Sequence, residues 1–215
     1  PRLLKGAAVK PRLLGTYVPG SPEWHAARRW RIGGSEIAQV MGWSRFGSRD
    51  DLLAAKLNPV DKPPSRAMLR GTLLEPSVLS WGAARHGYQY ADGSNGTYLH
   101  AVYDWVLYNP DALIVDGPLV EVKTTADRSR EMGWGRAGTD QIPLYYRAQV
   151  AWGMAVMDLP ETRLIVLHGA TNGRADLDFA EYRIKRDRPL EMKLLAAGKR
   201  FIHELTAAAA QQQAA

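Results

Sequence analysis

The tripeptide Asn109-Pro110-Asp111 is followed by Glu121-Val122-Lys123, with Asp111 and Glu121 ten positions apart. Side chains alternate along a strand, so Glu121 and Lys123 share one face while Val122 turns into the core. Asp116-Gly117 is a turn signal that makes the two segments antiparallel neighbours and brings Asp111 beside Glu121. Two carboxylates held together repel unless a cation joins them. Mg²⁺ suits the task, since it takes oxygen ligands and keeps some of its waters, and Mn²⁺ substitutes for it. The carbonyl of Val122 adds a further oxygen ligand. Lys123, on the same face, orients or helps deprotonate a metal-bound water and stabilises charge on a pentavalent phosphorane. This is the chemistry of metal-assisted phosphodiester hydrolysis. The competing reading is an exposed Glu–Lys pair on a hairpin, with Asp111 a plain turn residue.

Elements that hold such residues are legible on both sides. Ser21 reads as the cap of a first helix with Pro22 at its first position, and Gly33-Gly34 break it. Ser35 reads as the cap of a second helix, and Ser48 as that of a third. A fourth helix spans "MLRGTLLEPSVLSWGAARHG", stopped by Gly87. Strand patterning follows through "YLHAVYDWVLYNPDALIVDGPLVEVKTT". After a glycine-bearing loop comes a long helix, "LYYRAQVAWGMAVMDL", with Pro143 at its start. A strand pair ("TRLIVLHG", "LDFAEYRI") and a closing helix complete the order. Helices, strands, helix, strands, helix describe one α/β domain. Its expected bounds are 23–206, between a flexible basic arm at 1–22 and a low-complexity tail at 207–215. "GWGRAG" (133–138) matches G-x-G-x-x-G, but no strand leads into it, so no dinucleotide site is expected.

Composition narrows the chemistry. The 215 residues include no cysteine, which excludes thiol nucleophiles, disulfides and thiolate-bound metals. The five histidines (His25, His86, His100, His168, His203) include no pair four apart, so a histidine metal site is not expected. The net charge is +6, and it sits at one end: residues 1–50 hold nine of 28 bases but three of 22 acids, leaving nineteen of each elsewhere. A basic end on a neutral body suits an anionic partner, nucleic acid above all, or else a merely solvated face. No signal-peptide pattern opens the sequence and no apolar run reaches about 18–20 residues, so a cytoplasmic location and no membrane partner are expected.

The motif resembles the P-D…(D/E)-x-K pattern of restriction-endonuclease-like nucleases. Within that superfamily the chain resembles the YqaJ-type viral recombinase family and, more distantly, the lambda-exonuclease type. Five ordered blocks between about Glu23 and Val156 carry the likeness: "EWHAARRWRIGGSEIAQVMG", "LRGTLLEPSVL", "NPDALIVDGPLVEVKTT", the "IP" before the long helix, and "YYRAQVAWGM". The resemblance implies a restriction-endonuclease-like core, a central mixed β-sheet flanked by α-helices. It implies catalytic roles for Asp111, Glu121 and Lys123, a metal-site role for Glu75, and positions near the active site for Tyr146 and Gln149. It also implies terminal-phosphate binding by Arg28 and Ser35. Asn109 stands where the family has serine or threonine, and as an amide it can donate to a phosphate.

The implied activity is Mg²⁺-dependent 5′→3′ digestion of double-stranded DNA with a 5′-phosphorylated end, in phage-type recombination. Implied partners are a single-strand annealing protein and further copies of the chain in a ring homo-oligomer, a trimer. The implied location is the host cytoplasm if the chain is phage-encoded. Two other classes stay open: a structure- or sequence-specific endonuclease on the same core, and a non-catalytic DNA-binding assembly protein. Single residues have plain readings too. Glu75 follows Thr72 at capping-box spacing. Arg28 lies in a run of solvated bases, and Tyr146 and Gln149 share a helix face as ordinary buried polar groups would. Arg128 and Arg130 both qualify as DNA contacts after Lys123.

Overall fold

A computed structural model describes residues 10–60, 63–92, 96–125, 132–169 and 178–214. In chain order the elements are β1 (Arg12–Gly15), α1 (Pro22–Arg28), α2 (Gly34–Val40), α3 (Arg49–Leu57), α4 (Arg66–His86), β2 (Thr97–Leu99) and β3 (Leu107–Tyr108). There follow β4 (Ala112–Leu113), β5 (Leu119–Thr125), α5 (Leu144–Met157), β6 (Glu161–His168), β7 (Asp178–Lys185) and α6 (Arg188–Ala214).

The larger sheet runs β4-β5-β6-β7, with β5 and β6 parallel and the other pairs antiparallel. Parallel neighbours need a crossover, and α5 supplies it. Period-two alternation divides β5 between two cores. Val120 and Val122 join Val78, Ile165 and Leu167 beneath α4. Leu119 turns the other way, toward Trp152 and Val156 of α5. Behind α5 the same core takes in Ile37 of α2, Leu52 of α3, and Leu194 and Phe201 of α6. The central mixed sheet flanked by helices is therefore observed. Glu121 and Lys123 emerge on the α5 face, as the alternation predicts.

The smaller sheet, β1-β2-β3, is antiparallel, and Asn109–Asp111 lead directly from its β3 into β4 of the larger one. Ile114 and Gly117 close the β4–β5 turn: the amide of Gly117 donates to the Ile114 carbonyl at 2.9 Å, with Asp116 at φ 51°.

Four local expectations change. Arg12–Gly15, inside the segment read as a flexible arm, is a strand, because the open edge of β2 offers hydrogen bonds to its backbone. α1 stops at Arg28, and Ile32 instead bridges Val106 beside β3, fully buried. Ser35 is not the cap of α2, which starts from Gly33. The closing helix continues through the alanine- and glutamine-rich tail to Ala214, in keeping with the helix propensity of those residues. Ser21 and Ser48 do cap α1 and α3, accepting from Trp24 N at 3.2 Å and Asp51 N at 3.1 Å. Among the described residues no helix is long and apolar enough to cross a membrane.

Candidate active site

One cleft of about 290 Å³ is lined by Tyr17, Pro19, Trp24, Arg28, Gly34, Ser35 and Asn109 at one end and by Glu75, Tyr108, Pro110, Asp111 and Gln149 at the other. A cluster of acids and a lysine occupies the second end. The amide of Val122 donates at 2.6 Å to Oδ2 of Asp111, which stands just before β4 begins. The amide and carbonyl of one strand residue face the same edge, so the Val122 carbonyl opens toward Asp111 as well. Lys123 Nζ donates to Glu121 Oε1 at 2.5 Å. Gln149 Nε2, from α5, donates to the same oxygen, and the Tyr108 hydroxyl donates to Glu121 Oε2. Glu121 is 1% exposed, a buried carboxylate whose two oxygens are both engaged.

Electrostatics ties Glu75 to this group. Burial pushes the Asp111 carboxyl well above the usual carboxylate range, and Glu121 and Glu75 add to the rise against the opposing charge of Lys123. Burial also raises Glu75, with Lys123 opposing and Glu121 reinforcing. Burial works against the Lys123 charge, but Glu121 and Asp111 outweigh it and hold the ammonium above its ordinary value. Lys123 lies 5.6 Å from the centre of the Tyr146 ring. Thr72 is no helix cap: it lies inside α4 and donates to the Met68 carbonyl at 3.2 Å, while Ser65 caps the helix. That removes the capping-box reading of Glu75. Among the described residues no three histidine, cysteine, aspartate or glutamate side chains are gathered as a ready metal cage.

At the other end, the Arg28 guanidinium stacks 4.5 Å from the centre of the Trp24 ring. Its Nη1 donates to Asn109 Oδ1 at 3.2 Å and its Nη2 to Ser35 Oγ at 3.4 Å. Asn109 Nδ2 donates to Thr97 Oγ1 at 2.6 Å. One of its two amide hydrogens thus goes to Thr97, and its oxygen faces Arg28.

Glycines make room for both ends. A Cβ at Gly33 would fall 2.2 Å from Arg28 Nη2, and one at Gly34 would fall 2.7 Å from Tyr108 Cε2. The pair read as a helix breaker is also the space that the guanidinium and the Tyr108 ring occupy.

The sequence description of the YqaJ-like viral recombinase domain matches residues 23–162. The chain belongs to the YqaJ-like viral recombinase family. It is 30% identical over 144 residues to the protein YqaJ of Bacillus subtilis (strain 168), a match that covers 66% of this chain and 43% of that one, so the chain spans less than half its relative's length. In fold it is similar to LHK-Exo, an alkaline exonuclease of Laribacter hongkongensis. The complex of LHK-Exo with dAMP gives a TM-score of 0.68 at 21% identity, covering 90% of this chain and 96% of the other. A phage-related exonuclease of Haemophilus somnus 129PT gives a TM-score of 0.58 at 10% identity, covering 83% and 96%. The core is therefore restriction-endonuclease-like.

Every residue that the family resemblance singled out stands in or beside this one cleft: Arg28, Ser35, Glu75, Asn109, Asp111, Glu121, Val122, Lys123, Tyr146 and Gln149. Arg128 and Arg130 lie outside the described residues. Sequence reasoning missed three residues. Tyr108 gave no signal beyond its place before Asn109. Glu36 did carry one, three positions after Gly33 at capping spacing, and its Oε2 accepts the Gly33 amide at 2.6 Å. Lys56 gave none: on α3 it reads as a polar-face lysine, yet it is 6% exposed.

Proposed function

We propose that the chain is a divalent-metal-dependent deoxyribonuclease that digests double-stranded DNA from 5′-phosphorylated ends, 5′→3′, in phage-type recombination. The observation that carries this reading is the shared cleft. It sets the Arg28 guanidinium in the lining of the same groove that holds a carboxylate–lysine cluster. An enzyme that recognises a chain terminus and cuts nearby needs both functions in one groove. Family membership and the likeness to exonuclease structures support the same conclusion.

The donor set fits a hard cation. It offers carboxylate oxygens of Asp111, Glu121 and Glu75 with the Val122 carbonyl, and no sulfur or imidazole. Asp111 and Glu75 are both pushed toward protonation by burial and by neighbouring carboxylates, the situation a bound dication reverses. Mg²⁺, or Mn²⁺ in its place, held by these groups would supply Lewis-acid polarisation of the scissile phosphate and a more acidic water. Lys123 faces the charge that develops on the phosphoryl oxygens, and Gln149 holds Glu121 in register. Arg28 and Ser35 take the terminal phosphate, Arg28 by charge-assisted hydrogen bonds.

The same reading places the protein in the host cytoplasm. It has the protein hand its single-stranded product to an annealing protein, and assemble as a ring of three copies round the duplex. A ring keeps a processive enzyme on DNA where salt weakens phosphate contacts. Large exposed apolar side chains such as Phe46 and Leu73 are available for subunit contacts. The deciding experiment incubates linear duplex labelled at either end, and closed circular duplex, with Mg²⁺, and follows the products. Mononucleotides released from the 5′ end of linear DNA support the proposal. Cutting of closed circles would establish an endonuclease, and no cutting in any divalent metal a binding protein. Sedimentation of the active protein tests the ring.

A further inference from the structure

Arg28 does not face the cleft as a free cation. Its Nη2 lies 3.5 Å from Glu36 Oε2. An arginine neutralised by a carboxylate at that distance is a poor receptor for a second anion. Yet behind Glu36 stands a second cation. Lys56 Nζ, 6% exposed, donates to Glu36 Oε1 at 3.0 Å, to the Arg28 carbonyl at 3.1 Å and to the Arg31 carbonyl at 2.7 Å. Its three N–H donors are all used, and Lys56 itself is not among the cleft-lining residues. Glu36 is saturated too, by Lys56 on one oxygen and by the Gly33 amide on the other.

We propose that Lys56 is a specificity-determining positioning residue: by taking up the charge of Glu36 it leaves the Arg28 guanidinium available to a terminal phosphate monoester. The local sum is two cations and one anion, and the excess positive charge is presented on Arg28, the only one of the three in the cleft lining. The inference rests on the terminal-phosphate reading above. The Glu36 carboxyl is held below its ordinary value; burial opposes this, but Arg28, Lys56 and the Gly33 amide outweigh burial. The carboxylate is therefore charged, and it would pair fully with Arg28 if Lys56 were lost.

The test compares initial rates on linear duplex bearing 5′-phosphate or 5′-hydroxyl ends, in Mg²⁺, for wild type, Lys56→Met, Glu36→Gln and the double variant. Lys56→Met is expected to raise KM for phosphorylated ends about tenfold, the order of one charge-assisted hydrogen bond, with the loss in KM and not in kcat. The double variant, which removes both buried charges, is expected to recover the wild-type preference. A lysine that merely braced α1 and α3 would lower both substrates alike, and the double variant would not recover. Retention of the full preference in Lys56→Met, or no recovery in the double variant, overturns the proposal. Should Lys56→Met not fold, Glu36→Gln carries the test: it is expected to keep or sharpen the preference, and a weakened preference overturns the proposal. Equal rates on the two ends in wild type would instead refute the terminal-phosphate reading. A preference abolished by Arg28→Ala but untouched by Lys56→Met refutes only the role of Lys56.

Discussion

Gly153→Ala puts a helix former into the middle of α5, and in an ordinary helix it would stabilise by about 1 kcal/mol. Here the sign reverses. An alanine Cβ would stand 2.5 Å from Tyr108 Cζ, 2.8 Å from Tyr108 Cε2 and 2.9 Å from Leu119 Cδ2. Carbon pairs settle at about 3.5–4.0 Å, so the ring must retreat by about 1 Å. Its room is limited, because the Gly34 backbone also lies close against the ring: a Cβ built there would fall 2.7 Å from Tyr108 Cε2. Overpacking of this kind costs about 1–3 kcal/mol. Set against the propensity gain, mid-range overpacking leaves a net loss of about 1 kcal/mol. For a chain of this size that is about 2–4 °C in Tm. The functional effect is larger than the thermal one. Moving the Tyr108 hydroxyl by about 1 Å takes it off Glu121, and displacements of that size in a catalytic constellation cost about a hundredfold. Thermal unfolding by circular dichroism and initial rates on phosphorylated linear duplex measure the two quantities separately. Replacing the ring as well, in Tyr108→Leu/Gly153→Ala, should return most of the stability lost in Gly153→Ala, with a coupling of about 1 kcal/mol. A Gly153→Ala protein that melts at or above wild type and cuts at the wild-type rate would refute the account of the slot.

Lys123→Ala should abolish cleavage in Mg²⁺ with the circular dichroism spectrum unchanged, since the side chain is partly exposed at the cleft and packs into no core cluster; cutting at near the wild-type rate would remove Lys123 from the reaction. Arg28→Ala should reduce the advantage of 5′-phosphorylated over 5′-hydroxyl ends by about tenfold to a hundredfold, the range of a hydrogen bond to a charged group; an unchanged ratio places the phosphate elsewhere. Acid stability follows Glu36. Its folded pKa lies below its ordinary 4.5, so the unfolded chain binds more protons, and the stability this carboxylate contributes is present above pH 4.5 and lost as pH falls through the folded value. Glu36→Gln should therefore flatten the fall in denaturation midpoint as pH drops below 4.5, and parallel curves for the two proteins would count against the assignment.

The sequence alone determines whatever follows from backbone periodicity and short-range chemistry. Glu121 and Lys123 share a face because strand side chains alternate. The Asp116-Gly117 turn pairs β4 with β5 because it supplies the left-handed backbone the reversal needs, and Ser21 and Ser48 cap helices because their oxygens reach amides three residues on. Those relations span ten residues or fewer. What the tertiary structure decides lies at longer range. Ser35 loses its place as cap to Gly33 because Arg28 and the Tyr108 ring must fit against the Gly33-Gly34 backbone. Arg12–Gly15 becomes a strand only because β2, far along the chain, has an edge to offer. Lys56 looks like any solvated lysine until α1 and α3 pack, when burial obliges it to find three acceptors and Glu36 becomes one of them. Tyr108 becomes the partner of Glu121 only once α2 and α5 close on it with glycines. A buried donor must be satisfied by whatever the packing brings near, and that neighbour is chosen by the whole fold rather than by the residues beside it in the chain.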